Sequence, residues 1–152
     1  MMKRALVTGG AGFIGSWLVD ELISRGINVS VIDNLSTGKK ENLNKDAELF
    51  NVDIKDQRIK DILLEANPDI VFHYAAQTSV RKAAEDPVGD ARTNILGTIN
   101  ILNACKSGGV KGIVFASSGG TVYGRPSVFP TSEECSFSPE SPYGISKASC
   151  EW

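Results

Sequence analysis

The chain has 152 residues, of which 16 are basic and 18 acidic, with 41% hydrophobic and 22% charged side chains. This composition is typical of one folded domain and excludes an intrinsically disordered chain. The near balance of charge argues against general nucleic-acid binding, which requires a basic surplus. No apolar run approaches the roughly 20 residues of a membrane span, and the first eight residues do not resemble a secretory signal.

Three widely spaced cysteines, no CxxC motif and a single histidine predict reduced thiols and no metal site. We therefore expect a cytoplasmic protein without a membrane or nucleic-acid partner. The histidine, His73, closes a predicted strand, and we interpret it as a packed, hydrogen-bonded residue rather than a base.

Apolar runs and helical patterns alternate along the chain. Strands are predicted at residues 3–8, 28–33, 49–52, 69–73 and 111–116. Helices are predicted at residues 13–25, 56–66 and 90–106, and from about residue 141 onward, with a long loop at 117–142. The strands are continuous apolar runs, which favour a parallel sheet buried on both faces. The predicted fold class is a doubly wound α/β sheet of the Rossmann type, and residues 1–152 form its dinucleotide-binding domain.

The first predicted helix has a specific expected orientation. Its helical spacing predicts a single apolar face, formed by Phe13, Ile14, Trp17, Leu18 and Leu22. Gly26 follows the last turn, as a left-handed cap residue does.

A glycine loop joins the first strand to the first helix, with the sequence TGGAGFIG at residues 8–15. Gly9 permits the tight turn, Gly12 lets a pyrophosphate approach the backbone, and Gly15 allows close helix packing. Asp33, at the end of the next strand, is placed to accept hydrogen bonds from an adenosine ribose. Its carboxylate would repel a 2′-phosphate, so the pattern favours NAD over NADP. The nearby basic pair, Lys39-Lys40, is the main feature against that preference.

Further cofactor contacts are expected at the carboxyl ends of the strands, where ligands bind in open α/β sheets. Asp53 and Ile54 follow the third strand and are candidates for the adenine edge. A segment with small residues follows the fourth strand and would let the cofactor lie across the strand ends; it consists of Tyr74, Ala75, Ala76 and Gln77.

Tyr143 and Lys147 are four residues apart and lie on one face of the last predicted helix. A free tyrosine is a poor base at neutral pH because its pKa is about 10. A nearby ammonium and a positively charged nicotinamide would favour the phenolate, which could then remove a proton from a substrate hydroxyl. Taken alone, the spacing equally fits a surface pair, but its place after the fifth strand favours a catalytic role.

Together these segments resemble the extended short-chain dehydrogenase/reductase family, and within it the nucleotide-sugar 4-epimerases. The resemblance covers almost the whole chain. The matching segments are residues 8–15, 31–38 (VIDNLSTG), 52–54 (VDI), 71–77 (VFHYAAQ), 94–98 (NILGT), 117–124 (SSGGTVYG) and 143–147 (YGISK).

The resemblance implies that NAD is the cofactor and a UDP-hexose the substrate, with a homodimer as the full-length form. Tyr143 would be the general base, with Lys147 as its partner. The residues implied to bind the cofactor are Gly9, Gly12, Phe13, Ile14, Gly15, Asp33, Asn34, Ser36, Thr37, Gly38, Asp53, Ile54, Tyr74, Ala75, Ala76, Gln77, Asn94, Tyr143 and Lys147.

One position departs from the family pattern. A serine or threonine usually stands four residues before the tyrosine of the VYG segment, but here that residue is Gly119. Ser118 and Thr121 are the candidates to replace it as the third catalytic residue. Nucleotide-sugar dehydratases and decarboxylases carry an acid just before VYG, where this chain has Gly120 and Thr121, so the resemblance favours an epimerase.

The family has a C-terminal region of similar size that completes the sheet and forms most of the sugar-nucleotide site. We therefore expect this chain to correspond to the N-terminal half of such an enzyme. The alternatives are a catalytically silent dinucleotide-binding fragment, another nucleotide-sugar enzyme of the same family, and, less favoured, an NAD-binding redox sensor.

Overall fold

A computed structural model describes residues 2–152, which form two compact units. The first unit contains the chain up to Ala76 together with Ile99–Ala116. The second contains Gln77–Thr98 and Ser117–Trp152. None of the helices formed by residues 2–152 combines the length and the apolar content needed to cross a bilayer.

The first unit contains a five-stranded sheet in which every pair of neighbours is parallel. Its strands are β1 (Arg4–Thr8), β2 (Asn28–Ile32), β3 (Glu48–Phe50), β4 (Ile70–His73) and β5 (Gly112–Phe115), in the order β3-β2-β1-β4-β5. All five predicted strands and the doubly wound fold class are confirmed. Burial on both faces holds for β1 but not for β5, where Val114 is 44% exposed.

Each face of the sheet carries its own hydrophobic core. Helix α1 (Phe13–Ser24) contributes Val19 and Leu22 to the core on one face. On the other face, helix α2 (Ile59–Ala66) and helix α5 (Gly97–Ser107) contribute Ile59, Ile62, Leu63 and Ile101, among others. The predicted helix at 56–66 starts later, at Ile59, because residues 53–56 form a turn closed by the N–H of Asp56 on the carbonyl of Asp53.

The predicted apolar face of α1 is wrong in part. Phe13, Ile14 and Trp17 are 81%, 60% and 69% exposed, whereas Gly15, Ser16, Val19 and Leu22 are buried. The helix packs through its small residues because its first turn lies against the glycine loop, where Gly15 has no room for a side chain. Gly26 does adopt the left-handed conformation expected of it, with φ +75°.

The second unit consists of helices and loops. It includes α3 (Val80–Glu85), α4 (Pro87–Ala91), a π-helical stretch (Arg92–Leu96), the first two residues of α5, α6 (Gly119–Val122) and α7 (Pro142–Glu151). The helix predicted at 90–106 is therefore interrupted by the π-helical stretch, and the predicted loop at 117–142 contains α6. Helix α7 begins as expected, with Pro142 in its first turn and the Ser141 hydroxyl capping the N–H of Gly144.

Candidate functional site

The strand order reverses between β1 and β4, and ligands of open α/β sheets bind at such a switch point. Thr8 ends β1, and its hydroxyl lies 2.6 Å from Nδ1 of His73 at the end of β4. The same hydroxyl accepts the N–H of Ala75 at 3.1 Å. His73 is 1% exposed, which confirms its interpretation as a packed, hydrogen-bonded residue. Sequence reasoning missed Thr8, which holds the segment after β4 in place.

The three spaced glycines have different surroundings. Gly9 has φ +73°, and a Cβ there would lie 2.7 Å from the backbone nitrogen of Ala75. A Cβ on Gly15 would meet Gly10 at 2.8 Å. For Gly12 the one atom within 4 Å is the carbonyl oxygen of Gly9, at 3.2 Å. Gly9 and Gly15 are therefore required by packing, whereas Gly12 presents open backbone.

Asp33 follows β2 and is 7% exposed. One of its carboxylate oxygens accepts the N–H of Ala11 in the glycine loop at 3.0 Å, and the other accepts the N–H of Leu35 at 2.8 Å. Leu35 has φ +55°, a left-handed conformation that is uncommon for a branched residue. Asp33 thus fixes both the glycine loop and the turn that follows β2, and each oxygen retains a lone pair for a ligand.

Two further predicted cofactor residues lie together beside this turn. The side-chain amide of Asn34 donates to Asp53 at 2.9 Å, and its oxygen accepts the N–H of Ser36. Burial raises the pKa of Asp53, but hydrogen bonds from Lys55 and Asn34 outweigh it and hold that pKa below its usual range. Ser36 and Thr37 are exposed, as a ligand-facing loop requires.

Gly38 and Ile54 lie deeper. A Cβ on Gly38 would lie 2.9 Å from Ala11, so the turn at residues 34–38 packs closely against the glycine loop. Ile54 is 5% exposed and its side chain packs in the core. Its expected contact with adenine would therefore have to come from its main chain.

The segment after β4 divides between the two units. Tyr74, Ala75 and Ala76 are half-buried in the first unit. In the second unit, Gln77 and Asn94 bind each other: the N–H of Gln77 donates to Asn94 Oδ1 at 2.9 Å, and Asn94 Nδ2 donates to the carbonyl of Gln77 at 3.0 Å. These two predicted cofactor residues thus fix one another's orientation.

Tyr143 and Lys147 lie on the buried side of α7, at 8% and 3% exposure. The Lys147 ammonium is 6.0 Å from the centre of the Tyr143 ring. Burial raises the pKa of Tyr143, and a hydrogen bond from Ser118 opposes that rise. Burial also lowers the pKa of Lys147, while Cys150 and Asp90 act in the opposite direction. The expected lowering of the tyrosine pKa by the lysine is not seen in the chain itself, where the pKa of Tyr143 is raised, chiefly by burial.

The two candidates for the third catalytic residue, and the glycine that stands at the usual position, differ in geometry. The side chain of Ser118 interacts with Tyr143 in the direction that lowers the pKa of the phenol. Thr121 instead points its hydroxyl at the carbonyl of Ser118, at 3.4 Å. A Cβ added to Gly119 would meet no heavy atom within 4 Å. Of the two hydroxyls left open by the sequence, the structure brings that of Ser118 to the tyrosine.

Asp90 is a buried carboxylate in the second unit that sequence reasoning missed. It is 2% exposed and accepts hydrogen bonds from the side chains of Gln77, Asn94 and Ser146. The sequence signal was weak: an acid one helical turn before Asn94. Its other two partners, Gln77 and Ser146, are 13 and 56 residues away along the chain, so no local sequence pattern could predict them.

The first unit fits a dinucleotide on three observations. Gly12 leaves its backbone accessible, at the N-terminus of α1. That N-terminus has no side-chain cap and no acid in its first turn, so its N–H groups suit an anion. A carboxylate, Asp33, stands at the end of the neighbouring strand, where a ribose diol would bind.

Comparison with known proteins places these features in a family. Residues 5–152 match the NAD dependent epimerase/dehydratase family. A putative UDP-glucose 4-epimerase of Methanocaldococcus jannaschii is 49% identical over 142 residues, which cover 93% of this chain and 47% of that protein. The crystal structure of a UDP-glucose 4-epimerase from Thermotoga maritima with UDP-glucose has 48% identity and a TM-score of 0.96, and covers 97% of this chain and 48% of that one.

A Thermus thermophilus UDP-glucose 4-epimerase, crystallised with NAD, matches with 48% identity and a TM-score of 0.94, over 97% of this chain and 48% of that one. This chain therefore spans about half the length of the relatives that it matches. The family match extends over nearly the whole chain and includes both the glycine loop and the tyrosine–lysine pair. The chain belongs to the NAD dependent epimerase/dehydratase family.

Proposed function

We propose that this chain supplies the N-terminal, NAD-binding part of a nucleotide-sugar 4-epimerase that interconverts UDP-hexoses of the glucose and galactose type. The observation that carries the proposal is the buried Tyr143 of α7, with the Ser118 side chain acting to lower its pKa and the Lys147 ammonium 6.0 Å from the centre of its ring. The identity of 48–49% to UDP-glucose 4-epimerases supports the choice of reaction.

In the first unit, we assign the glycine loop to the pyrophosphate of NAD and Asp33 to its adenosine ribose. Phe13 and Ile14, which are exposed at the start of α1, would flank the pyrophosphate. The turn at residues 34–38 and Asp53 would surround the adenosine. The carboxylate of Asp33 opposes a 2′-phosphate, which supports NAD rather than NADP.

In the second unit, Tyr143 is the proposed base. Its phenolate takes the proton of the sugar 4-hydroxyl and returns it to the same oxygen after the sugar has turned over, so the net proton balance is zero. Bound NAD would supply the hydride-transfer chemistry at the sugar carbon, with no net change in its oxidation state. Ser118 donates a hydrogen bond to the phenolate, and the Lys147 ammonium stabilises the negative charge.

The test is conversion of UDP-galactose to UDP-glucose by the complete product of the gene that contains this sequence, purified with NAD. We expect interconversion in both directions without net consumption of NAD. A protein that holds NAD but leaves both sugars unchanged would end the epimerase proposal. Assays with UDP-glucuronic acid, and for dehydration of UDP-glucose, separate it from the other reactions of the family, which the absence of an acid at Gly120 and Thr121 disfavours.

A second candidate is a dinucleotide-binding fragment without catalytic activity. This candidate is favoured because the chain covers only about half the length of the relatives that it matches. Under this reading the 152-residue chain binds NAD and converts no sugar, whereas measurable epimerisation by that chain would refute it. A homodimer and a cytoplasmic location remain predictions; the three free cysteines accord with the latter.

Ser118 and Thr121 provide a matched pair of variants. We expect Ser118→Ala to lower turnover by about 100-fold, because it removes a hydrogen bond to the developing phenolate. Thr121→Ala removes a hydroxyl of the adjoining helix α6 that points at the carbonyl of Ser118, and turnover should stay within about threefold. Steady-state rates at several pH values measure both. Equal losses in the two variants would contradict the assignment of Ser118.

A further inference from the structure

The Asp90 carboxylate connects three parts of the second unit. Its Oδ1 accepts hydrogen bonds from Gln77 Nε2 and Asn94 Nδ2, both at 2.9 Å. Its Oδ2 accepts a hydrogen bond from the Ser146 hydroxyl at 2.6 Å. Ser146 lies on α7, between the proposed base and its lysine. One buried group on α4 thus holds both the pair of amides and the helix that carries the proposed chemistry.

An ionised carboxylate accepts hydrogen bonds and cannot donate them. Both amide NH₂ groups must therefore turn toward Asp90. This leaves Asn94 Oδ1 to accept the N–H of Gln77, as observed at 2.9 Å. The orientation of both amides consequently follows from the charge state of one residue.

Burial of this charge requires compensation, because an isolated carboxylate away from water is strongly destabilised. Its three recorded hydrogen-bond donors are neutral. The Lys147 ammonium, 3% exposed in the same unit, is a buried charge of opposite sign, and the negative charges of Cys150 and Asp90 both act to raise its pKa against the effect of burial. The charged residues of the neighbouring α3, Arg81, Lys82 and Glu85, are exposed to solvent. The titratable groups that face one another are therefore Asp90 on α4 and Tyr143, Lys147 and Cys150 on α7.

We propose that Asp90 is a positioning residue: its buried carboxylate orients the two amides, holds α7 through Ser146, and places a negative charge beside the part of α7 that carries Tyr143 and Lys147. This inference rests on the proposed function for its catalytic meaning. Its structural and electrostatic content is testable without any turnover.

The sharpest variant is Asp90→Asn. Its side-chain oxygen can replace Oδ1 toward the two amides, and its NH₂ group can donate to the Ser146 oxygen, so the hydrogen-bonded frame is kept and the charge is removed. Asp86→Asn is the matched control. It removes the same charge from an exposed residue that caps the same helix, and asparagine caps helices as well as aspartate does.

The first readout is ionisation of the Tyr143 phenol, followed by ultraviolet absorbance in the 152-residue chain. The chain has three tyrosines, and subtracting the Tyr143→Phe titration isolates the signal. Asp90 opposes the phenolate, so Asp90→Asn should increase the ionisation constant of Tyr143, on the order of threefold or more. Asp86→Asn should leave it unchanged. An equal change in both variants, or none in Asp90→Asn, would overturn the proposal.

The second readout is thermal stability in a double-mutant cycle with Lys147→Met. Lys147→Met leaves the Asp90 charge without its buried cation and should lower the melting temperature. Adding Asp90→Asn to that variant should restore part of the loss. Additive effects of the two substitutions would refute the charge pairing.

In the complete gene product, the pH profile of kcat/KM provides the third readout. Removing the Asp90 charge favours both the phenolate and the neutral lysine, so both limbs of the profile should move to lower pH. A wild-type protein that binds NAD without converting sugars would remove the proposed function, whereas the titration and the stability cycle would still decide the role of Asp90.

Discussion

Replacing Tyr143 with phenylalanine is expected to lower epimerisation by about 1,000-fold while NAD binding stays nearly intact. The substitution removes one oxygen and keeps the ring, which is 8% exposed and packed within the second unit. The fold should not change, because the ring is kept and only the interaction of the phenol oxygen with Ser118 is lost. Turnover of UDP-galactose and the NAD content of the purified protein are the two measurements.

The matched control is Tyr123→Phe. Tyr123 is half-buried, and its ring packs edge-on against Phe137 with centroids 5.5 Å apart, so the variant likewise loses a hydroxyl and keeps a ring. Its turnover should fall far less than that of Tyr143→Phe. Unchanged turnover in Tyr143→Phe would exclude this residue from the mechanism.

The pH dependence of the wild-type protein follows from the surroundings of the same phenol. Burial raises the pKa of Tyr143 above its ordinary value, and Ser118 recovers only part of that shift. A base acts only when deprotonated, so the rate should rise with pH toward the pKa of the phenol. Because this chain alone does not favour the phenolate, a positive charge on the bound cofactor is the remaining source of stabilisation that we propose.

The sheet was predictable because its signals are local. Continuous apolar strands separated by glycines and helical spacing indicate a parallel sheet, and each of the five predicted strands overlaps an observed one. The region at 77–98 was less predictable. Short helices such as α3 and α4 are set by caps, here the side chains of Ser79 and Asp86, and carry too few residues to show a period.

The orientation of α1 shows a second limit of the sequence. Apolar spacing selected the face with Phe13 and Trp17, yet the buried face contains Gly15 and Ser16, and Gly15 lies against the glycine loop. Small residues permit close approach, and this outweighed the greater hydrophobicity of the large ones. The glycine spacing already implied close packing at Gly15, so it was the more reliable guide to the buried face.

For the candidate site, the sequence identified the residue types and the structure supplied their pairing. The glycine loop and Asp33 have a local signature, and the N–H of Ala11 on Asp33 joins them directly. The sequence could not distinguish Ser118 from Thr121, because both carry a hydroxyl and both lie next to or near Gly119, where the family usually has a serine or threonine. Asp90 was missed because its partners come from distant parts of the chain.

Gly12→Val is the second change with a large expected effect, and it acts on binding rather than chemistry. Gly12 has an extended backbone, with φ −79° and ψ 175°, which valine adopts readily. A Cβ there lies 3.2 Å from the carbonyl oxygen of Gly9, so the loop must yield by a few tenths of an ångström and the fold should persist. The branched side chain would then occupy the space that we assign to the pyrophosphate.

We expect Gly12→Val to weaken NAD binding by on the order of 100-fold, or about 2.7 kcal/mol, as measured by titration calorimetry on the complete gene product. Gly112→Val in β5 is the control: a Cβ there meets nothing within 4 Å, and a branched residue suits a strand. That variant should bind NAD as the wild type does. If Gly12→Val retained full NAD occupancy with an unchanged melting temperature, the pyrophosphate could not lie against Gly12, and the assignment of the glycine loop would have to be abandoned.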